Sequence, residues 1–300
     1  MNNISVITAV KNKPIHLFES LESIDELAEE IIIADLGIDE EYRTKLKRMK
    51  KVKIISITEN APYIELIREK LKQYSSCEYI FFLDPDEIVP THLASILKKN
   101  LGNADYFKIP RKNIIFGKWI QHARWWPDYQ IRLFKKSQVT WPLHIHHQPI
   151  PRGKEFAVEP NEELALIHYN YDTIDEYLGK MYRYARVEAQ EMVMSGQNFT
   201  LRTAFKNGLS EFISRFFADK GYEDGTHGFV LSFLQLFNCM LVYMYYWEMK
   251  DKFKTKPEEL AQDTQLFFQQ GLKETNHWIM KEKLVKSLNI LKIKLINKLL

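Results

Sequence analysis

Tyr79-Ile80-Phe81-Phe82-Leu83 is an unbroken run of apolar strand formers, and it stops at Asp84-Pro85-Asp86-Glu87. Pro85 has no amide hydrogen to give to a ladder, so the strand cannot continue through the acids. A run with no polar alternation needs cover on both faces, which a sheet between helices provides. The fold is narrowed to the α/β class, with three carboxylates delivered at the carboxyl end of a buried strand. Open α/β sheets bind ligands at that place, and paired carboxylate oxygens suit a hard divalent cation.

The chain upstream repeats the pattern. Ile4 to Val10 is a β-rich run, followed by Leu17, Leu21, Ile24 and Leu27 at helical spacing. Ile31-Ile32-Ile33-Ala34 is a second buried strand that closes on Asp35-Leu36-Gly37-Ile38-Asp39, and Val52 to Ile57 is a third. Ile64, Ile67, Leu71 and Tyr74 then share a helical face and lead into Tyr79. Strands alternating with amphipathic helices mean βαβ units and a mainly parallel sheet flanked by helices. Two strand ends therefore carry acids. In a nucleotide-binding sheet Asp35 would suit the base or ribose, and Asp84 with Asp86 the metal and diphosphate; the bland alternatives are a turn or helix-cap role for Asp35 and a capped turn for the pair. The chain has no glycine-rich phosphate loop, which disfavours Walker-type NTPases and dinucleotide dehydrogenases.

Three hundred residues allow one α/β core and a helical appendage, and 45% hydrophobic residues can build both. A net charge of +3 gives no reason to expect nucleic acid as a partner. Cys77 and Cys239 form no CxxC, so neither a disulfide framework nor a zinc ribbon is readable, and a reducing, cytoplasmic setting fits. The first residues lack the basic and apolar regions of a leader and read as a strand.

From Asp105 the chain gives two short extended pieces, Tyr106 to Pro110 and Asn113 to Phe116. Trp119 to Phe134 follows, with three tryptophans, His122, Arg124, Asp128 and Arg132. Aromatic faces stack on sugars, and Arg pairs with phosphate or carboxylate; the alternative is a surface hairpin whose tryptophans cover the sheet. Residues 142–160 hold four prolines and read as a long loop, with His144, His146 and His147 just inside it. His168 ends a further apolar strand. Beyond Tyr171 the chain is helical: Thr173-Ile174-Asp175-Glu176 is a capping box, a second helix covers about Leu201 to Phe217, and Phe229 to Trp247 is nearly continuous apolar sequence. Its Ser232, Gln235, Asn238 and tyrosines favour a buried or membrane-surface helix over a spanning one. Lys281 to Leu300 places Leu284, Leu288, Leu291, Leu295 and Leu299 on one stripe among lysines, suited to an anionic membrane surface or, alternatively, to packing on the protein or a second copy as a homodimer. The expected division is 1–171 for an α/β ligand-binding domain, 172–250 for a helical region packing on it, and 251–300 for the basic tail.

In order along the chain, Ser5-Val6-Ile7-Thr8, Asp35, Leu83-Asp84-Pro85-Asp86-Glu87, Ile109-Pro110-Arg111-Lys112-Asn113, Trp126-Pro127-Asp128-Tyr129-Gln130-Ile131-Arg132-Leu133-Phe134, His168-Tyr169 and Asp224-Gly225 resemble the family 2 glycosyltransferases of the GT-A fold. More narrowly, they are similar to the lipopolysaccharide core β-1,4-glucosyltransferases. The resemblance implies an inverting transfer from a UDP-sugar to a hydroxyl of a saccharide or lipid-linked saccharide, by an enzyme peripheral on the inner face of the cytoplasmic membrane. It implies Thr8, Asp35, Asp84 and Arg132 on the donor nucleotide. Asp86, with His168 and secondarily His146, would hold Mg²⁺ or Mn²⁺, and Asp128 would be the general base. Arg124, Trp125, Trp126 and Gln130 would meet the substrate. A sugar nucleotidyltransferase and a membrane-bound GT-A-like scaffold without turnover are the competing readings.

Overall fold

The computed structural model describes residues 3–57, 65–142, 148–253, 257–285 and 293. They form two compact units, one of residues 1–114 with 126–170 and the other of residues 115–125 with 171–300.

The first unit opens with β1 (Ile4–Asn12), α1 (Leu17–Ser23), β2 (Glu30–Ile38), α2 (Glu40–Leu46), β3 (Val52–Ser56) and α3 (Glu65–Leu71). β4 (Tyr79–Phe82) and the short β5 (Glu87–Ile88) bracket the acid loop, and α4 (Thr91–Asn100) follows. β1 pairs in parallel with β2 on one side and β4 on the other, and β3 extends the parallel run beyond β2. Apolar residues on both sides of each strand are what dictate this. Ile4, Val6, Tyr79 and Phe81 pack on one face with Leu17, Leu21, Leu93 and Leu97 from α1 and α4. Ile7, Ile80 and Phe82 pack on the other with Ile67 and Leu71 from α3. Each fully buried side chain of β4 contributes roughly 2–3 kcal/mol, which fixes this strand at the centre.

The remaining strands are β6 (Tyr106–Ile115), β7 (Lys118–Trp119), β8 (Asp128–Lys135), β9 (Val139–Thr140), β10 (Ile150–Pro151), β11 (Glu155–Ala157) and β12 (Leu166–Tyr171). β8 pairs antiparallel with β4 and with β6, and β12 lies antiparallel to β5, so the sheet order is β3-β2-β1-β4-β8-β6-β12-β5. This is the expected α/β architecture, a sheet flanked by helices and parallel in its amino-terminal half. The two extended pieces expected after Asp105 are one strand. Pro110 does not end β6, because β8 holds it from Tyr106 to Arg111 with Pro110 opposite Tyr129.

The second unit is helical: α5 (Ile174–Met194), α6 (Leu201–Ile213), α7 (Thr226–Tyr246) and α8 (Pro257–Lys281). Thr173 caps α5 through its side-chain oxygen, which accepts from the Glu176 amide at 3.2 Å. α6 runs on into a π-helical turn, Ser214–Ala218. α7 with its π-helical continuation, Thr226–Asp251, is long and apolar enough to cross a membrane by length and composition. It buries Leu231, Leu241, Val242 and Tyr246 in a cluster with Tyr177, Met181 and Ala185 of α5, while Phe229, Phe233 and Met244 stand exposed. Residues 115–125 belong to this unit. Asp224 accepts from the amides of Gln121 and His122 at 3.1 and 2.8 Å, and Lys118 donates to its carbonyl at 2.7 Å.

Candidate active site

The acid loop is a tight turn. The Glu87 amide donates to the Asp84 carbonyl at 3.0 Å, and the Glu87 carboxylate accepts from the Asp84 amide at 3.1 Å. Glu87 is completely buried, and such a charge needs a partner of opposite sign. Arg132 supplies it from β8. Its Nη2 lies 2.5 Å from both Glu87 Oε1 and Asp84 Oδ2, and its Nε lies 3.2 Å from Glu87 Oε1. Arg68 of α3 takes the other oxygen of Asp84 at 2.8 Å. Burial opposes ionisation of Asp84, but Arg132, then Arg68 and Arg111, outweigh it and hold the carboxyl well below the usual range. The resemblance implied Arg132 on the donor nucleotide; in the fold its guanidinium pairs with Asp84 and Glu87.

Asp86 takes a different position. Its Oδ1 is buried with no hydrogen-bond partner among the described residues, and its Oδ2 lies 3.7 Å from His168 Nε2. The pairing of β12 with β5, with His168 opposite Glu87, brings the imidazole there, and the Tyr169 amide fastens it by donating to the Asp86 carbonyl at 2.9 Å. On its other side His168 Nδ1 meets Asn113 Oδ1 at 2.7 Å.

Asn113 leads to Asp128. The Asn113 amide nitrogen lies 3.2 Å from Asp128 Oδ2, which also receives Arg111 Nε at 2.9 Å and Nη2 at 2.5 Å. Gln130 donates to Asp128 Oδ1 at 2.8 Å. Burial again opposes the charge; Arg111, Asn113 and Gln130 more than offset it, so the Asp128 carboxyl is held below its ordinary value. Strand periodicity explains the convergence, since Asp128, Gln130 and Arg132 share one face of β8 and Arg111 and Asn113 one face of β6.

Three other predicted residues lie in the first unit. Thr8 is fully buried in the middle of β1, and its hydroxyl has no partner among the described residues. Asp35 ends the buried part of β2. Its Oδ1 accepts from the Gly37 and Ile38 amides at 2.9 Å each, and its Oδ2 pairs with Arg43. Gly37 at φ +106° turns the chain sharply enough for this. Trp126 lies in the same unit, half-buried, just before β8. Arg124 and Trp125 belong to the helical unit. There Arg124 donates to Asp219 at 2.7 Å and pairs with Ser214, and Trp125 packs against the cluster around Tyr177. His146 lies outside the described residues, as do His144, His147 and most of the basic stretch after Lys281.

The first unit thus brings together Asp84, Asp86, Asp128, Gln130, Arg132 and His168. Sequence reading missed Arg68, Arg111, Asn113 and the buried role of Glu87 as site residues. Arg111 and Asn113 had a signal, two hydrogen-bonding side chains two residues apart and so on one face of an extended piece. Among the described residues no three or more His, Cys, Asp or Glu side chains gather closely enough to hold a metal ion by themselves. Asp86 and His168 would supply two ligands. That number suits a cation whose other positions are filled by diphosphate oxygens and water, and the unpartnered Asp86 Oδ1 fits it.

No protein-family model matches the chain. Among solved structures, S. aureus TarS 1–349 superposes at TM-score 0.40, with 13% identity over 92% of this chain and 81% of that one. The bifunctional IspDF from Campylobacter jejuni gives 0.38, with 16% identity over 59% and 54%, and a second S. aureus TarS structure gives 0.37, with 14% identity over 84% and 55%. Likeness at this level carries no chemistry to this chain.

Proposed function

We propose that the protein is an inverting glycosyltransferase that moves a hexose from a UDP-sugar to a hydroxyl of a saccharide or lipid-linked saccharide of the lipopolysaccharide core type. One observation carries the reading: a carboxylate–imidazole pair with ligand capacity, Asp86 and His168, is joined through one amide to an ionised carboxylate, Asp128. Sugar transfer needs both ends. The acceptor hydroxyl is weakly acidic and requires a base, and the departing diphosphate requires neutralisation where its charge develops.

Asp128 takes the proton of the acceptor hydroxyl. That oxygen bonds to the anomeric carbon, the bond from this carbon to the donor diphosphate breaks, and the electron pair leaves with the diphosphate. A single displacement inverts the centre. Arg111 and Gln130 keep Asp128 ionised and aimed. Asp84, pinned by Arg68 and Arg132, meets the ribose or donor sugar, and the unpartnered Thr8 hydroxyl and Asp35 lie toward the nucleoside. Asp86 and His168 would hold Mg²⁺ or Mn²⁺, which would supply positive charge at the diphosphate. The basic stretch from Lys281 brings the protein to an anionic membrane surface, where a lipid-linked acceptor resides.

The test is UDP release from a panel of UDP-sugars with Mn²⁺ present. Asp128→Asn should keep donor binding and lose roughly 10²–10⁴-fold in transfer; wild-type turnover in that variant removes Asp128 as the base. Release of pyrophosphate instead of UDP points to nucleotidyl transfer. If no UDP-sugar is cleaved, and Asp86→Ala leaves nucleotide binding unchanged, the transferase reading fails.

A further inference from the structure

Asn113 is completely buried in β6 between two groups whose chemistry is fixed differently. Asp128, held ionised by Arg111, is acceptor-only, so the group facing its Oδ2 at 3.2 Å must be a donor. That requirement orients the amide: the NH₂ of Asn113 faces Asp128 and its carbonyl faces His168. The reverse orientation would set the amide oxygen of a buried side chain against a carboxylate oxygen. With Oδ1 turned to His168 Nδ1 at 2.7 Å, the imidazole must carry its hydrogen on Nδ1. In the neutral form, the one that can ligate a metal, the ring has a single N–H, so the lone pair then lies on Nε2, the nitrogen 3.7 Å from Asp86 Oδ2.

We propose that Asn113 is a positioning residue that reads the orientation demanded by Asp128 and locks His168 in the Nδ1–H tautomer, presenting Nε2 for metal binding beside Asp86. What the two ends do rests on the function proposed above; the tautomer lock does not. One amide thereby holds the base and sets the ligand, which keeps both in register along the donor-to-acceptor direction. Metal-ligating histidines depend on such an outer partner, and its removal costs roughly 10–100-fold in metal affinity.

The test uses the full-length, metal-free protein labelled with ¹⁵N-histidine, the His168 signals being assigned with His168→Gln. In the wild type Nδ1 is protonated and Nε2 bare. Asn113→Ala shifts the ring toward the other tautomer or a mixture, and Mn²⁺ affinity, read by electron paramagnetic resonance with UDP present, falls about 10–100-fold. Asn113→Ser keeps one hydroxyl able to donate to Asp128 and accept from His168, so it restores part of the tautomer preference, and it also covers the case in which the alanine variant does not fold. A wild-type-like His168 tautomer in Asn113→Ala, or an Asn113→Ser ring with no preference for the Nδ1–H form, overturns the proposal. If the tautomer shifts as expected but Mn²⁺ binds neither wild type nor variant, the lock stands and the metal-assisted reading fails.

Discussion

Arg132 is the cation on which the acid loop depends, and replacing it with methionine keeps an unbranched apolar stem while removing the charge. Its side chain is 3% exposed and spans Glu87, which is 0% exposed, and Asp84, which is 30% exposed. Removing one partner of a buried ion pair costs about 3–5 kcal/mol, because the other charge is left uncompensated. Two features place Arg132→Met toward the lower end. Asp84 keeps Arg68 at 2.8 Å and reaches solvent, and Glu87 keeps Arg111 Nη1 at 3.4 Å. The expected loss is therefore about 3 kcal/mol, nearly all of it from Glu87. Equilibrium urea unfolding measures it as a fall in midpoint at unchanged slope. The paired variant Glu87→Gln with Arg132→Met removes the stranded charge and should recover at least half the loss. Arg132→Lys should lie between, since one ammonium cannot span both carboxylates as the planar guanidinium does. A loss below about 1 kcal/mol, or a double variant less stable than the single, would refute the account of Arg132 as the loop's counterion.

Glu30 gives a pH dependence at the opposite end of the strands. Burial raises its pKa, but Lys53 at 2.6 Å, Ser5 and Ser76 overcome this and bring the carboxyl down to about 2 from 4.5. Its contribution, at most about 3 kcal/mol, is fully present above pH 4.5 and is lost as pH falls toward 2; Glu30→Gln should flatten that acid limb in urea unfolding at pH 5 and pH 3, and an unchanged limb would exclude Glu30 as its source. Deleting residues 281–300 should release the protein from anionic vesicles while sparing turnover on a soluble acceptor, and unchanged co-sedimentation would count against membrane docking by that stretch.

Elements whose signal is local were readable from the chain. β1 to β4 follow from apolar runs, the acid loop from Pro85 behind a buried strand, and the start of α5 from Thr173 and Glu176. The turn role of Asp35 was open in sequence as one of two readings, and the fold spends both its oxygens on Gly37, Ile38 and Arg43. Residue type marked Asp84 and Asp86 as bearers of chemistry, and the family resemblance added Asp128 and His168.

Which of these meet, and through what, belongs to the tertiary structure alone. Arg132 reaches Glu87 across 45 residues of sequence and His168 reaches Asn113 across 55, because strand register, not chain proximity, sets polar side chains on one face of β6, β8 and β12. A one-residue slip in β6 would turn Asn113 away from both Asp128 and His168, and nothing in its immediate neighbours records that choice. Sequence by itself supplied the carboxylates and the strand that carries them. Packing decided that Asp84 is clamped by two arginines while Asp86 keeps a buried oxygen unpartnered among the described residues: ion pairing between partly buried groups is settled by which opposite charges the register brings within reach.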